Sequence, residues 1–311
     1  MSVSLRCYST SLGCPKNRVD TERLLGSLGV ALVPVESPDE AELVFINTCA
    51  FIQPATEESV RTIAQAIADI EELPKRPLLA VAGCLVGRYH AEDLAPELPE
   101  VDLWLDNSDL EAWPAMLARK LGLPEPTVPG RILSTGPSYA WLKISDGCRH
   151  ACSFCAIPNI RGGHRSHCKD MIVREARALL DQGVKELNLV AQDLTEWGCD
   201  LDGKQDLRTL LDGLLPLPGL ERLRLMYLYP AGMTHEMLKY LCEAGKPFVP
   251  YFDVPVQHSH PDVLSRMGRP FARNPREAID RIRNVFPEAA LRTSIMVGFP
   301  GETEEHFEHL R

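Results

Sequence analysis

Residues 146–155 read DGCRHACSFC and carry three cysteines, Cys148, Cys152 and Cys155, in the spacing C-x3-C-x2-C. The motif directly follows YAWLKIS (139–145), a short apolar run that predicts a β-strand. Three thiolates this close together suit a soft metal centre, either zinc or an iron–sulfur cluster. Because the motif follows a strand, we expect it at the strand end where barrel enzymes build their active sites.

The number of cysteines separates the two metals. Structural zinc requires four ligands, and Cys168, His150 or His164 could supply the fourth. A 4Fe–4S cluster normally takes four cysteines, so three would leave one iron open to bind a substrate or cofactor. The open position explains why the motif has no fourth cysteine, although the spacing alone leaves zinc possible.

Strand and helix patterns alternate on both sides of the motif, which predicts an α/β fold with mainly parallel sheets. Beyond the motif, four further strands are predicted at 185–191, 221–227, 248–254 and 291–297. Before it, strands are predicted at 3–9, 30–35, 41–47, 78–83 and 101–105, with helices at 17–29 and 55–73. The first half is typical of a Rossmann-like parallel sheet, and the second of a partial (β/α) barrel.

Composition changes divide the chain into two predicted domains. Residues 1–124 form the first, the Pro- and Gly-rich stretch 125–137 is a linker, and residues 138–311 form the second. The sequence stops within a helical pattern, ETEEHFEHLR, so we expect a barrel that is truncated at its carboxyl end.

A second group of cysteines follows three predicted strands of the first domain. Cys14, Cys49 and Cys84 each stand at or just beyond a strand end. The carboxyl ends of parallel strands meet at one edge of a sheet, where open α/β sheets bind ligands. We therefore expect these three thiols to converge, although three buried structural cysteines would give the same pattern.

Charge and composition restrict the class of protein. The chain of 311 residues has a formal net charge of −10, which argues against a nucleic-acid surface and would suit a basic partner, although a solvated acidic surface without a partner gives the same charge. The chain lacks both an apolar run long enough to cross a membrane and a secretory signal pattern, so we expect a cytoplasmic protein. In that reducing compartment the ten cysteines are not expected to form disulfides.

Several longer motifs carry a family resemblance that covers essentially the whole chain. The motif with Phe154 before its last cysteine resembles the radical S-adenosylmethionine superfamily. The flanks SLGCPKNRVDTE, INTCAFIQPATEES and AGCLVGRY resemble the amino-terminal domain of the methylthiotransferases, and AQDLTEWG, YFDVPVQHSH and MVGFPGET continue the likeness. SLGCPKN, GCLVGRY and AQDLTEWG are most similar to the branch that modifies ribosomal protein S-12.

This resemblance implies two 4Fe–4S clusters and S-adenosylmethionine as cofactors. Cys148, Cys152 and Cys155 would hold the cluster whose open iron binds S-adenosylmethionine, and Cys14, Cys49 and Cys84 would hold an auxiliary cluster that delivers sulfur. The implied activity is methylthiolation of the β-carbon of an aspartate in S-12. The clusters would carry the chemistry, so no catalytic side chain is assigned.

Further site residues are implied at other strand ends. For cofactor binding they are Phe154, Gln192, Gln257, His258, Gly298 and Gly301; possible substrate contacts are Asp193 and Arg161. For each of these a structural explanation is available: apolar packing for Phe154, a polar strand-end cap for the amide, imidazole and carboxylate groups, a plain turn for the glycines, and a surface position for Arg161.

Two other functions remain compatible with the sequence. One is a tRNA adenosine methylthiotransferase, for which nucleic acid would be the partner; the other is a non-catalytic iron–sulfur carrier. The preferred function has the basic protein S-12 and an electron donor of unknown identity as partners, and no membrane. The carboxyl-terminal TRAM domain of the family is expected to be absent from this sequence.

Overall fold

A computed structural model describes residues 4–269 and 274–311 and divides the chain into two compact units. The first unit contains the chain up to Ser134 together with Asn159–Gly162. The second contains Thr135–Pro158 and Gly163–Arg311. The domain boundaries at 124 and 138 stay a prediction.

The first unit is built on a parallel sheet of five strands in the order β2-β1-β3-β4-β5. The strands are β1 (Ser4–Ser11), β2 (Ala31–Pro34), β3 (Leu43–Thr48), β4 (Leu78–Gly83) and β5 (Leu103–Leu105). All five match predicted strands, except that Val3, the predicted start of the first, lies outside the described residues. β3 is buried along its whole length, as expected for a central parallel strand.

Five α-helices are described in this unit, and all but the shortest bury side chains. They are α1 (Pro15–Ser27), α2 (Gln53–Ile70), α3 (Cys84–Tyr89), α4 (Ala91–Leu94) and α5 (Trp113–Leu121). The helices α1 and α2 each begin two residues before the predicted start, because a proline in the first turn loses no helical hydrogen bond. Phe45 and Trp113 are among the largest side chains in the core between sheet and helices.

The end of the predicted linker is fixed to α1. The Arg131 guanidinium lies 2.7 Å from the Glu22 carboxylate, and both side chains are buried. Glu22 also accepts hydrogen bonds from the backbone N–H and the hydroxyl of Ser134. Gly26 has backbone at Arg131 where its Cβ would be, so α1 needs glycine there to let this segment approach.

The second unit contains a five-stranded parallel sheet in the order β12-β11-β10-β9-β6. The strands are β6 (Tyr139–Lys143), β9 (Glu186–Val190), β10 (Arg222–Leu225), β11 (Phe248–Asp253) and β12 (Ala290–Arg292). A separate antiparallel pair, β7 (Ser145–Asp146) and β8 (Arg165–Ser166), follows β6. The predicted α/β fold, with a parallel sheet in each half, is confirmed.

Helices follow the strands of the second unit as a barrel-type connection requires. They are α7 (Lys169–Asp181), α8 (Leu207–Leu214), α9 (His235–Ala244), α10 (Pro261–Arg266), α11 (Pro275–Val285) and α12 (Glu304–Leu310). The short helix α6 (Ile157–Arg161) ends in the segment that belongs to the first unit. The strand predicted at 291–297 is shorter than expected, and beyond it only an isolated bridge joins Ile295 to Gln257.

Candidate active site

The cysteines of the first unit stand at the carboxyl ends of three adjacent strands. Cys14 caps α1 just after β1, Cys49 directly follows β3, and Cys84 directly follows β4. Because β1, β3 and β4 are neighbours in the sheet, the topology brings these three positions to one edge. We call Cys14, Cys49 and Cys84 the strand-end triad.

Contacts among these residues show how closely they pack. A Cβ at Gly13 would lie 2.7 Å from the Cys49 sulfur, so only glycine allows this approach. Cys49 and Cys84 share a hydrogen bond, which raises the pKa of Cys49 and lowers that of Cys84. The Ser59 hydroxyl donates to the Cys49 carbonyl and accepts from its N–H, which fixes the backbone at this strand end.

Asn17 and Arg161 form a buried polar network beside the triad. The Asn17 amide donates to the Leu12 and Thr48 carbonyls at 2.9 and 2.8 Å, and so joins the ends of two strands. Its oxygen accepts from the Cys84 thiol at 3.7 Å and from Arg161 at 2.6 Å. After the Cys49 hydrogen bond, the positive charge of Arg161 also lowers the pKa of Cys84.

Arg161 is buried and paired with a carboxylate of its own unit. Its guanidinium lies 3.1 Å from Asp20, and both side chains are 2% exposed. Asp20 would therefore compete with a substrate carboxylate for Arg161, the contact that the sequence predicts. Burial also rules out the alternative that Arg161 is an ordinary surface side chain.

The three cysteines of the C-x3-C-x2-C motif lie on one loop of the second unit, between β7 and α6. We call Cys148, Cys152 and Cys155 the loop triad. Ser153 anchors this loop, because its N–H donates to the Met267 carbonyl at 3.0 Å and its hydroxyl donates to the Arg266 carbonyl at 2.9 Å.

Burial makes two of these thiols harder to ionise. It raises the pKa of Cys148 to about 11 and also raises the pKa of Cys155. A thiolate at these positions thus needs a nearby positive charge, which coordination to iron would supply.

Zinc is not favoured by the geometry. Zinc-bound sulfurs lie about 3.8 Å apart, given a Zn–S bond of about 2.3 Å and tetrahedral geometry. In the described part of the chain, three clusters of possible ligands have their atoms within 4.8 Å of one another, and neither cysteine triad is among them. His150 clusters with Asp193 and Glu196, and His164 with Cys199 and Asp200, while Cys168 is exposed at the start of α7.

Gln192 and Asp193 follow β9 and differ in how their polar groups are satisfied. Within the described residues, the buried amide nitrogen and oxygen of Gln192 have no hydrogen-bond partner. An orphaned donor and acceptor at a strand end fit a bound polar ligand. Asp193 accepts from the Thr195 N–H at 2.8 Å and lies 2.7 Å from the His150 ring, so it acts as a strand-end cap that also holds the cysteine loop.

Tyr229, which follows β10, lies between two other side chains. The His150 ring stacks on it at 4.2 Å and 14°. The Arg269 guanidinium lies 4.4 Å from the same ring. Since an aromatic ring has two faces, we place His150 and Arg269 on opposite ones. Arg269 also donates to the Cys152 sulfur at 3.8 Å.

His258 is fully buried, and both of its ring nitrogens have hydrogen-bond partners within the chain. Nδ1 accepts from the His260 N–H at 2.9 Å, which leaves the proton on Nε2 to face the Glu302 carboxylate at 3.4 Å. Glu302 also accepts from the Phe299 N–H at 2.9 Å. His258 therefore orders the turn at residues 298–303, and a direct cofactor contact by its side chain stays a prediction.

The remaining predicted cofactor residues have visible structural roles. Gly298 and Gly301 have φ of +73° and +81°, which explains glycine at both positions of the turn. Gln257 has φ of +70°, and its backbone bonds to Ser294 and Met296. Phe154 packs against the apolar cluster around Met267. Their contacts with a cofactor stay predictions.

The residues present fit the implied cofactors. Each triad offers three soft thiolate donors, and the loop triad lacks a fourth cysteine in its loop. The orphaned Gln192 amide offers a donor and an acceptor for a polar cofactor. The number of clusters that the chain holds is left to the proposal below.

Sequence reasoning missed three residues of these sites. Asn17 stands three residues after Cys14 within the quoted motif, but its position gave no indication that it joins two strand ends. Tyr229 follows β10, so the rule that singled out Gln192 and Gln257 would also have found it. Arg269 follows a helix, and no sequence signal places it beside Cys152.

Comparison with known proteins identifies the class first. A profile of the Radical SAM superfamily matches residues 142–311, more than half of the chain, so this is a radical SAM protein. The uncharacterized protein family UPF0004 matches residues 6–106. The radical S-adenosylmethionine methyltransferase TsrM from Kitasatospora setae, solved with tryptophan and a SAM analog, has a similar fold with a TM-score of 0.68. That match covers 99% of this chain and 70% of the other at 16% identity, and it shows the fold alone.

Curated relatives then identify the family. Ribosomal protein uS12 methylthiotransferase RimO of Nitratidesulfovibrio vulgaris (strain DP4) is 68% identical over 303 residues, which cover 97% of this chain and 70% of the relative. The RimO protein of Aquifex aeolicus is 45% identical over 97% of this chain and 67% of its own length. The chain belongs to the family of ribosomal protein uS12 methylthiotransferases, which confirms the resemblance to that branch. Across the described residues, no helix is both long and apolar enough to cross a bilayer.

Proposed function

We propose that this chain methylthiolates the β-carbon of an aspartate in ribosomal protein uS12, using two 4Fe–4S clusters and S-adenosylmethionine. The names of its close relatives support the substrate. The observation that carries the proposal is structural: the first unit gathers three cysteines beyond strands of its parallel sheet, and the second carries three cysteines on one loop after β7. One triad alone would suffice for radical chemistry, so the strand-end triad calls for a second role.

In this proposal the loop triad holds the cluster whose open iron binds S-adenosylmethionine, and the strand-end triad holds the auxiliary cluster. When bound, these groups would supply hydrogen abstraction from the substrate, the sulfur that replaces the hydrogen, and the methyl group on that sulfur, which a second S-adenosylmethionine would donate. Gln192 offers its amide donor and acceptor to the cofactor, and Asp193 keeps His150 and the cysteine loop in place. Cys49 and Cys84 are buried and Cys14 is half-buried, so two of the three thiols are shielded from water.

The partners follow from charge and chemistry. A net charge of −10 suits a basic ribosomal protein, because opposite charges raise the encounter rate at low ionic strength. The chain also needs an external one-electron donor. Both partners are consistent with action in the cytoplasm.

Iron analysis tests the number of clusters. After anaerobic reconstitution we expect about eight irons per chain, four for each triad. Replacing Cys148, Cys152 and Cys155 together with alanine should leave about four irons, and the same change of the strand-end triad should also leave about four. Loss of all iron from either variant while it stays folded, or zinc in place of iron, contradicts the two-cluster proposal.

Product analysis tests the reaction and the substrate. The chain is incubated with reductant, S-adenosylmethionine, uS12 and tRNA together, and each product is examined by mass spectrometry. We expect 5′-deoxyadenosine, and a methylthio mass increase on the uS12 aspartate. A methylthio mass increase on tRNA alone supports the tRNA enzyme. Failure to form 5′-deoxyadenosine when both clusters are loaded supports an iron–sulfur carrier.

A further inference from the structure

Arg269 is a buried cation placed beside a ligand of the loop triad. It follows α10 and is 4% exposed. Its Nη2 donates to the Pro255 carbonyl at 2.8 Å, and its Nη1 donates to the Cys152 sulfur at 3.8 Å. The face of Tyr229 supports the guanidinium at 4.4 Å. Three contacts in different directions therefore fix the position of this charge.

No carboxylate of the described residues pairs with Arg269, and its buried Nε has no hydrogen-bond partner among them. Two other arginines with buried side chains, Arg131 and Arg161, each pair with a buried carboxylate. A buried guanidinium without a negative partner is costly. The cost falls if the negative charge belongs to the group that the loop triad binds.

Three thiolates around a 4Fe–4S core form an anionic group, and one-electron reduction adds another negative charge to it. A fixed cation stabilises the more negative state more strongly. A hydrogen bond to a ligand sulfur acts in the same direction, since net charge and hydrogen bonds to sulfur set the reduction potentials of such clusters. Both effects act at Cys152.

We propose that Arg269 raises the reduction potential of the cluster held by Cys148, Cys152 and Cys155. It acts through its charge and through its hydrogen bond to the Cys152 sulfur. Tyr229 holds the guanidinium at this distance, and His150 supports the opposite face of the ring. This inference rests on the part of the proposed function that places a cluster on the loop triad. It does not depend on the identity of the substrate.

Potentiometric titration followed by electron paramagnetic resonance tests the proposal on the reconstituted full chain. In Arg269→Gln we expect the equilibrium constant for reduction of the cluster on the loop triad to fall at least tenfold. For a one-electron couple this lowers the reduction potential by at least 59 mV. The other cluster should keep its potential. Arg269→Lys keeps the charge but loses the fork geometry, so its potential should lie between the wild-type and Gln values.

Two controls identify the cause of the shift. Arg222→Gln removes the same charge from an exposed position at the start of β10 and should leave both potentials unchanged. When Cys148, Cys152 and Cys155 are all alanine, adding Arg269→Gln should leave the potential of the remaining cluster unchanged. A shift in either control would mean that Arg269 acts through general charge or the fold, and would overturn the proposal.

Iron content separates the remaining outcomes. A fully loaded Arg269→Gln chain that forms 5′-deoxyadenosine and has wild-type potentials overturns this inference but not the proposed function. If Arg269→Gln does not load the loop triad, Arg269→Lys decides: a loaded Lys variant with a potential near wild type supports the role of charge. Equal loss of iron in both variants shows a purely structural role and overturns the inference.

Discussion

The two cysteine triads are built in opposite ways. Cys14, Cys49 and Cys84 are far apart in sequence and meet because β1, β3 and β4 are neighbours in one sheet. Cys148, Cys152 and Cys155 lie within one loop, which Ser153 anchors to the segment after α10. The first site is therefore a property of the whole unit, whereas the second depends on local sequence and on a few anchoring contacts.

Each triad has a buried arginine beside it, and the two arginines differ in how their charge is balanced. Arg161 is neutralised by Asp20, so its charge is balanced whether or not a cluster is bound. Arg269 lies on an aromatic ring and a carbonyl, so its charge remains to act on a bound group. One arginine thus mainly stabilises the fold, and the other mainly sets the electrostatics of its site.

The largest expected difference between the triads is in chemistry. We expect Cys152→Ala to reduce formation of 5′-deoxyadenosine to background, because in the proposed function the loop triad holds the cluster that binds S-adenosylmethionine. Cys49→Ala should still form 5′-deoxyadenosine but should stop methylthio transfer. Both products are measured by chromatography and mass spectrometry. If folded Cys49→Ala also loses 5′-deoxyadenosine, the two triads do not have separate roles.

The second difference is in stability. Arg161→Met removes the cation from a buried pair and should lower the free energy of unfolding by about 3–5 kcal/mol. Arg269→Met leaves no buried carboxylate behind and should cost at most about 1–2 kcal/mol, because relief of an unpaired buried charge offsets part of the lost carbonyl hydrogen bond and cation–π contact. Urea denaturation of the cluster-free chains measures both. Equal losses would show that Asp20 gains little from Arg161.

A third test concerns how tightly the fold defines the strand-end triad. Gly83, before Cys84, has φ of +98°, and a Cβ there would lie 2.6 Å from the Thr48 carbonyl oxygen. Gly83→Ala should cost about 2–5 kcal/mol, from backbone strain and overpacking together. Gly29 has φ of +69° and open space around it, so Gly29→Ala should cost only about 1–2 kcal/mol. Thermal melts of both variants compare the two terms, and similar melting temperatures would exclude a contribution from packing.

The smallest expected effect is a pH dependence of the second unit. Burial lowers the pKa of His258, so the unfolded chain binds its proton more readily than the folded chain. Stability should therefore fall as the pH drops below about 6.5, the ordinary value for histidine. Three titratable groups also act on this pKa: Glu302 raises it, while His260 and His306 lower it. His258→Gln keeps an N–H for Glu302 but cannot titrate, so its melting temperature should fall less between pH 7.5 and 5; an unchanged slope would assign the acid sensitivity to other groups.

Local patterns predicted most of the fold and the cysteines of both sites. Among the described residues, short apolar runs located the ten strands of the two parallel sheets, since strands of parallel sheets are as a rule buried and rich in apolar residues. The strand-end rule located Cys14, Cys49 and Cys84, because the carboxyl ends of parallel strands meet at one edge of a sheet. These predictions depend on residues close together in the chain or on regular topology.

The contacts that the sequence did not predict join residues far apart in the chain. Arg161 meets Asp20 across 141 positions, and Arg269 meets Cys152 across 117. Neither contact follows from a period, a cap or a strand end, so one sequence alone cannot pair them. Helix starts were also misplaced by two residues at α1 and α2, where the first-turn proline was read as lying outside the helix.

The place of Asn159–Gly162 in the first unit has a consequence for biosynthesis. On the ribosome, strands β1 to β5 emerge well before this segment does, yet the buried partner of Asp20 and the backbone that packs on Gly87 arrive only with it. The first unit can therefore collapse early but reaches its final packing only after part of the second unit has been translated. A fragment cut at the predicted boundary would be left with an exposed groove and a buried acid without its arginine, and we expect it to be prone to aggregation.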